Sequence, residues 1–211
     1  KLNKIALKTY FCYNSIMAIL KIVKYGEESL RQKSKEISKI SKKIKVLAHD
    51  MIDTMYANNG VGLAAPQVGE NIRMFVIDVS LDNEPFNPIV FINPKKKKKE
   101  GAAHEKEGCL SFPNAFVDVR RYSYVKVKAT DLNGKPFVIE AKDGSLLARA
   151  IQHENDHLDG ILFIDHTRNI FEAIKVLEEN NLPKIQEDKL LEEKEIEDLL
   201  ALNKADIDDK Q

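Results

Sequence analysis

Residues 152–160 read Q-H-E-N-D-H-L-D-G, and inside them H-E-x-x-H brings together His153, Glu154 and His157. Leu147, Ile151 and Leu158 recur around it at i, i+4 and i+11, with Ser145 available as a cap and Gly160 as a stop, so the spacing predicts a helix over 146–158. Residues four apart on a helix project from one face. Both imidazoles can therefore reach one ion while Glu154, one position along, sits beside it as a free base. The plainer alternative, two solvated histidines on an exposed face, fits poorly with a motif embedded among apolar positions. Whatever else this chain forms has to be built around that helix.

A second amphipathic helix is predicted from Ser41 to Asn58, where Ile44, Leu47, Met51, Ile52 and Met55 follow helical spacing, with Ser38 or Ser41 as cap and Gly60 as stop. Strands are read at 73–79 (R-M-F-V-I-D-V), 90–92 (V-F-I), Tyr124 to Thr130 and Lys135 to Ala141, the last two joined by the hairpin signal D-L-N-G at 131–134. The run Lys95 to Lys99 reads as a solvated loop, because five consecutive ammonium groups resist burial. Helices separated from strands, without regular alternation, argue for an α+β fold of antiparallel β-sheets surrounding the central H-E-x-x-H helix.

A catalytic metal needs a third protein ligand and one open position. A third His at metzincin spacing is missing, since that position is Phe163 and His166 comes three residues too late. A Glu from a following helix, Glu172, Glu178 or Glu179, stays open on spacing alone. Cys109, flanked by Gly108 in E-G-C-L-S (107–111), is the better candidate because a thiolate binds zinc and ferrous iron strongly; its plainer reading is a small buried apolar residue. His49, His104 and His166 have no partner at ligand spacing, and Arg120 and Arg121 are expected to precede a strand.

Together, G-V-G-L-A-A-P-Q (60–67), E-G-C-L-S (107–111) and Q-H-E-N-D-H-L-D-G (152–160) resemble the three motifs of peptide deformylases, in the same order and with similar separations. The resemblance spans roughly residues 17 to 170. It implies that Cys109, His153 and His157 hold one divalent metal ion, Fe(II) natively, with Zn, Ni or Co able to substitute. It implies hydrolysis of the formyl group of N-formylmethionyl peptides and of nascent chains at the ribosome, with Glu154 handling the proton. The side-chain amide of Gln67 and the backbone N–H of Leu110 would bind the oxyanion. Val61, Gly62, Leu146 and Ala150 match substrate-binding positions, while Arg149 and Phe116 depart from side chains found in some members. Two readings from other classes compete: a structural zinc site in a silent peptide-binding domain, and an endopeptidase whose third ligand is a downstream Glu.

Three segments are expected: 1–16 as a presequence remnant or disordered N-terminal extension, 17–170 as the deformylase-like catalytic domain, and 171–211 as an acidic helical tail with an apolar stripe at Ile196, Leu199, Leu200 and Leu202. The first 26 residues carry five lysines and no acid, as a presequence would, whereas residues 171–211 carry six basic against thirteen acidic side chains. That acidic tail argues against docking on a ribosome through the C-terminus. Formal net charge is zero, so no direct nucleic-acid binding is expected, and no apolar run is long enough for a membrane span. A monomer or weak dimer is expected. Only two cysteines, Cys12 and Cys109, point to a reducing compartment. Formylated initiation belongs to bacteria and organelles descended from them. Lysine outnumbers arginine 27 to 6, and the compartment expected is a plastid ahead of a mitochondrion, with bacterial cytoplasm as the alternative.

Overall fold

Among the described residues, antiparallel pairing dominates, and it places seven strands around one buried helix. The computed structural model describes residues 18–80, 84–167 and 169–190. Its helices are α1 (Lys42–Ala57), α2 (Leu146–Asp159) and α3 (Ile170–Glu179). Its strands are β1 (Gly62–Ala64), β2 (Met74–Ile77), β3 (Ile89–Glu100), β4 (Ala103–Cys109), β5 (Phe112–Arg121), β6 (Tyr124–Thr130) and β7 (Pro136–Ala141). One sheet has the order β1-β2-β3-β6-β7 and the other pairs β4 with β5, so the architecture is α+β with antiparallel sheets.

Local chemistry sets the helix ends as expected. Ser41 caps α1 by accepting the Ile44 N–H at 3.4 Å, and Ser145 caps α2 by accepting the Ala148 N–H at 3.4 Å. Gly160 ends α2 at φ +74°, in the left-handed region, and a Cβ there would lie 2.4 Å from the Arg31 carbonyl oxygen. The hairpin at 131–134 closes through Gly134 N–H donating to the Asp131 carbonyl at 3.0 Å.

Packing then fixes where α2 lies. Ala148, Ile151 and Leu158 join Phe75, Phe91 and Val127 in one core, so α2 rests on the inner face of the larger sheet. Phe112, Val117, Val119 and Phe163 form a second core, which takes in Ala173 and Leu177 from α3. A third packs α1 through Met51 and Met55 against Leu63, Met74 and Ile92.

The expected loop at Lys95 to Lys99 is instead the second half of β3, hydrogen-bonded to β6. Charge does not prevent strand formation because the lysines leave the sheet on opposite sides. Lys95 and Lys98 face outward opposite Lys128 and Lys126, with Lys95 paired to Glu36 and Lys98 to Glu100. Lys96 and Lys99 turn inward, to Asp156 and to the Tyr122 ring. Strands β1, β4 and β5 go beyond the sequence expectation, and Arg120 and Arg121 end β5 as well as preceding β6. The expectations for residues 1–16, Cys12 and the apolar stripe beyond residue 190 lie outside the described residues.

Candidate metal centre

On α2 every side chain from Ala148 to Leu158 is buried, including two histidines and two carboxylates. Opposite it, Cys109 ends β4, just before the turn into β5. Tyr25 N–H donates to the Ser111 carbonyl at 2.9 Å and Lys24 Nζ to the Leu110 carbonyl at 2.9 Å, so the N-terminal segment pins that turn in place. Cys109 Sγ consequently lies 3.3 Å from His157 Nε2. One ligand atom from each of Cys109, His153 and His157 falls within 4.8 Å of the others, the group of this kind found among the described residues. The glutamates of α3 do not join them.

This donor set fits a metal ion. With metal–ligand lengths of about 2.1 Å to nitrogen and 2.3 Å to sulfur, a tetrahedral site sets N and S about 3.6 Å apart, close to the separation seen here. His153 Nδ1 is engaged at 3.1 Å by Glu107 Oε2, which leaves Nε2 for the ion. Burial pushes the His153 imidazole down, but its contacts with Cys109 and Glu107 outweigh this and hold it well above the ordinary histidine range. Burial and the adjacent His153 push His157 well below that range. Two imidazoles and a cysteine sulfur converging on one point form a pocket in which a dication can displace the protons these groups carry in its absence.

Around the ligands the acid and amide groups are held in order. Glu154 has no hydrogen-bond partner at Oε2 among the described residues, and burial raises its carboxyl to about 7. Gly62 makes room for it, because a Cβ at position 62 would lie 2.3 Å from Glu154 Oε1. Gln67 accepts the Ala64 N–H at 2.8 Å through Oε1, which turns its Nε2 toward Cys109 Sγ and Ser111 Oγ, each at 3.3 Å. Leu146 and Ala150 lie N-terminal to His153 and Glu154 on the same helix face; Leu146 is 53% exposed and Ala150 buried. Val61, 42% exposed, precedes β1 and accepts the Asp78 N–H at 3.0 Å.

Comparison with known proteins gives the family. The family model described as polypeptide deformylase matches residues 19–172. This chain belongs to that family. It is 50% identical over 150 residues to peptide deformylase 1 of Clostridium perfringens, covering 71% of this chain and 99% of the relative. It is also 50% identical over 145 residues to peptide deformylase 2 of Gloeobacter violaceus, covering 68% of this chain and 76% of the relative. A solved peptide deformylase from Synechococcus elongatus, in complex with actinonin, superposes with a TM-score of 0.76 at 38% identity, covering 84% of this chain and 95% of that one.

Several supporting residues carry no signal in a short window of sequence. Arg121 grips both oxygens of Glu107 at 2.9 Å and also binds Asp156 Oδ2, while Arg149 reaches Glu107 Oε1 at 2.9 Å. His166, without a partner at ligand spacing, sits 2.9 Å from Asp156 Oδ2. Burial would raise Asp156, but Lys96, Arg121 and His166 hold it well below the ordinary carboxylate range. Burial likewise opposes Glu107, which Arg121 and His153 bring far below its usual value. The available signal is position: Glu107 lies two residues before Cys109 and Asp156 between the two histidines, where a buried carboxylate needs a reason.

Proposed function

We infer that this chain is a peptide deformylase, a metal-dependent hydrolase that removes the formyl group from N-formylmethionyl nascent polypeptides and releases formate. The observation that carries the reading beyond family membership is Glu154, buried beside three convergent metal donors with one carboxylate oxygen unpartnered among the described residues.

Cys109, His153 and His157 would hold one divalent ion. Two nitrogens and a thiolate make a borderline-soft donor set, which favours Fe(II) as the native metal, admits Zn, Ni or Co, and disfavours Mg or Ca. Once bound, such an ion supplies Lewis acidity for hydrolysis at neutral pH. Glu154 takes a proton from the attacking water and passes it to the departing methionyl nitrogen, so that formate and a free α-amine result. Gln67 Nε2, fixed by its Oε1 anchor, and the Leu110 N–H donate to the oxygen on which negative charge develops. Val61, Gly62, Leu146 and Ala150 border the methionine and the extended peptide backbone behind it.

The substrate is a chain emerging from the ribosome, met by a monomer or weak dimer. Among the described residues no helix is long and apolar enough to cross a membrane. A bacterially descended organelle, a plastid ahead of a mitochondrion, is supported by the lysine-rich, acid-free start of the sequence, with bacterial cytoplasm as the alternative. Residues 1–16 then act as a targeting remnant, 17–170 as the catalytic body and 171–211 as its acidic extension.

The decisive experiment measures formate release from formyl-Met-Ala-Ser by anaerobically purified Fe(II) protein, with metal content recorded for wild type and Glu154→Ala. Formate release at about one metal per chain, lost in the variant while metal stays, is the expected result. Stoichiometric metal with no formate released by wild type refutes it.

A further inference from the structure

The lysine run offers a residue that the proposed chemistry leaves unused. Pairing with β6 sets Lys96 opposite Val127, a core position, so this side chain must leave the strand on the inner face. There its ammonium meets Asp156 Oδ1 at 3.0 Å. The other oxygen of Asp156 is taken by Arg121 and by His166. Arg121 in turn holds both oxygens of Glu107, and Glu107 Oε2 engages His153 Nδ1 at 3.1 Å. A continuous line of charged contacts thus runs from Lys96 to the back of a metal-facing imidazole.

Arg121 is the member shared between two buried carboxylates. With Lys96 present, each carboxylate has a cation of its own besides Arg121: Lys96 for Asp156 and Arg149 for Glu107. Without it, Asp156, whose side chain is 5% exposed, keeps its charge in a poorly solvated place and draws more heavily on Arg121. Arg121 then moves toward Asp156, and Glu107 loses part of the grip that orients His153.

We propose that Lys96 is a positioning residue for the metal centre: by neutralising Asp156 it leaves Arg121 free to fix Glu107, and through Glu107 the ring of His153. It touches neither substrate nor metal. The inference rests on the metal-site reading given above. Lys96 is suited to substitution because its side chain is 26% exposed and borders a surface cavity of about 410 Å³ on the far side of α2, shared with Ser34, Arg73 and Asn155.

The test uses the full chain and Zn(II), with the dissociation constant read by competition against a chromophoric chelator and unfolding of the metal-free proteins followed in parallel. Lys96→Met is expected to weaken Zn(II) binding about tenfold or more, in the range typical of groups that orient metal-binding side chains. Lys96→Arg, and Lys97→Met from the exposed bulge of the same strand, should stay within about threefold of wild type. Should Lys96→Met not fold, Lys96→Gln keeps a donor without the charge and is expected to bind more weakly than wild type. A folded Lys96→Met or Lys96→Gln that binds Zn(II) as tightly as wild type, with only its unfolding temperature lowered, makes the contact merely structural and overturns the proposal. So does a Lys96→Arg as weak as Lys96→Met. Wild type that takes up no Zn(II) removes the metal-site reading itself, a different result from uniform binding.

Discussion

Substituting Gly62 by Ala tests the site at the point where the fold leaves least room. The new Cβ would lie 2.3 Å from Glu154 Oε1, 2.8 Å from its Cδ and 2.9 Å from its Cγ. Relieving an oxygen contact that close requires a shift of about 1 Å, and β1, whose Gly62 lies opposite Ile77 of β2, holds the other side. Glu154 therefore moves. A displacement of about 1 Å in a catalytic group costs on the order of 100-fold in rate, and complete loss of the base sets an outer limit of roughly 10⁴-fold. Stability should change less. Overpacking costs about 1–3 kcal/mol, offset by about 0.4–1 kcal/mol from a stiffer unfolded chain, so Tm falls by no more than about 10 °C. None of the crowded atoms belongs to Cys109, His153 or His157, so metal content should be unchanged. Gly134→Ala is the control: its φ of +81° strains any side chain, yet nothing lies within 4 Å of the added Cβ, so it should cost stability and spare kcat/KM. The assay is formate release at fixed metal loading beside thermal unfolding. Gly62→Ala with kcat/KM within about threefold of wild type would refute the placement of Glu154.

Three further outcomes are expected. Arg121→Met strands Glu107 and Asp156 without their shared cation and should destabilise the fold by about 3–5 kcal/mol in urea titrations; a loss under about 1 kcal/mol would mean the carboxylates find other partners. Gly160→Ala forces a side chain into a φ of +74° and against the Arg31 carbonyl oxygen at 2.4 Å, so its denaturation midpoint should fall by the equivalent of about 2 kcal/mol or more, and an unchanged midpoint would count against this packing of the helix end. Asp78 is raised by burial, but the hydroxyls of Ser80 and Tyr56 and the N–H groups of Ser80 and Asn87 more than compensate, leaving its pKa lowered. Its contribution is therefore present above about pH 4 and lost as pH falls below that, so the stability gap between wild type and Asp78→Asn should shrink from about pH 7 to about pH 3. A gap that stays constant would show that the charge is not what stabilises.

What can be read directly from the residues is local. Ser145 and Gly160 bracket α2 within one residue of its observed end, Ser41 caps α1, and D-L-N-G turns β6 into β7, because caps and tight turns depend on side chains a few positions apart. The convergence of Cys109, His153 and His157 is legible only in part, through the spacing of the two histidines on one helix and the company of Cys109. The β4–β5 sheet is not, since A-H-E-K-E-G-C is exposed along much of its length and shows little alternation. The Lys95 to Lys99 strand is hidden by its charge, which hydropathy counts against pairing although the backbone ladder and the long aliphatic stems tolerate it. The Arg121 contacts depend on β4–β5 register and on a helix 35 residues away, so no short window contains them.

Helix α2 explains why those distant contacts exist. Burying Gln152, His153, Glu154, Asn155, Asp156 and His157 on a single helix is costly unless each polar group is met. Gln152 exchanges hydrogen bonds with both backbone groups of Tyr122, His153 meets Glu107, Asn155 meets Asp159, and Asp156 meets Lys96, Arg121 and His166. The helix atoms still without a partner among the described residues are Glu154 Oε2, Asn155 Oδ1 and His157 Nδ1. Two of these three belong to residues of the candidate metal centre. A helix built only for stability would have placed apolar side chains at 153, 154 and 157 and needed none of the buried cations. Two strands, β3 with its lysines and β5 ending in two arginines, deliver Lys96 and Arg121 to Asp156 on α2, so the charges that obscure these strands in the sequence are ones the buried helix requires.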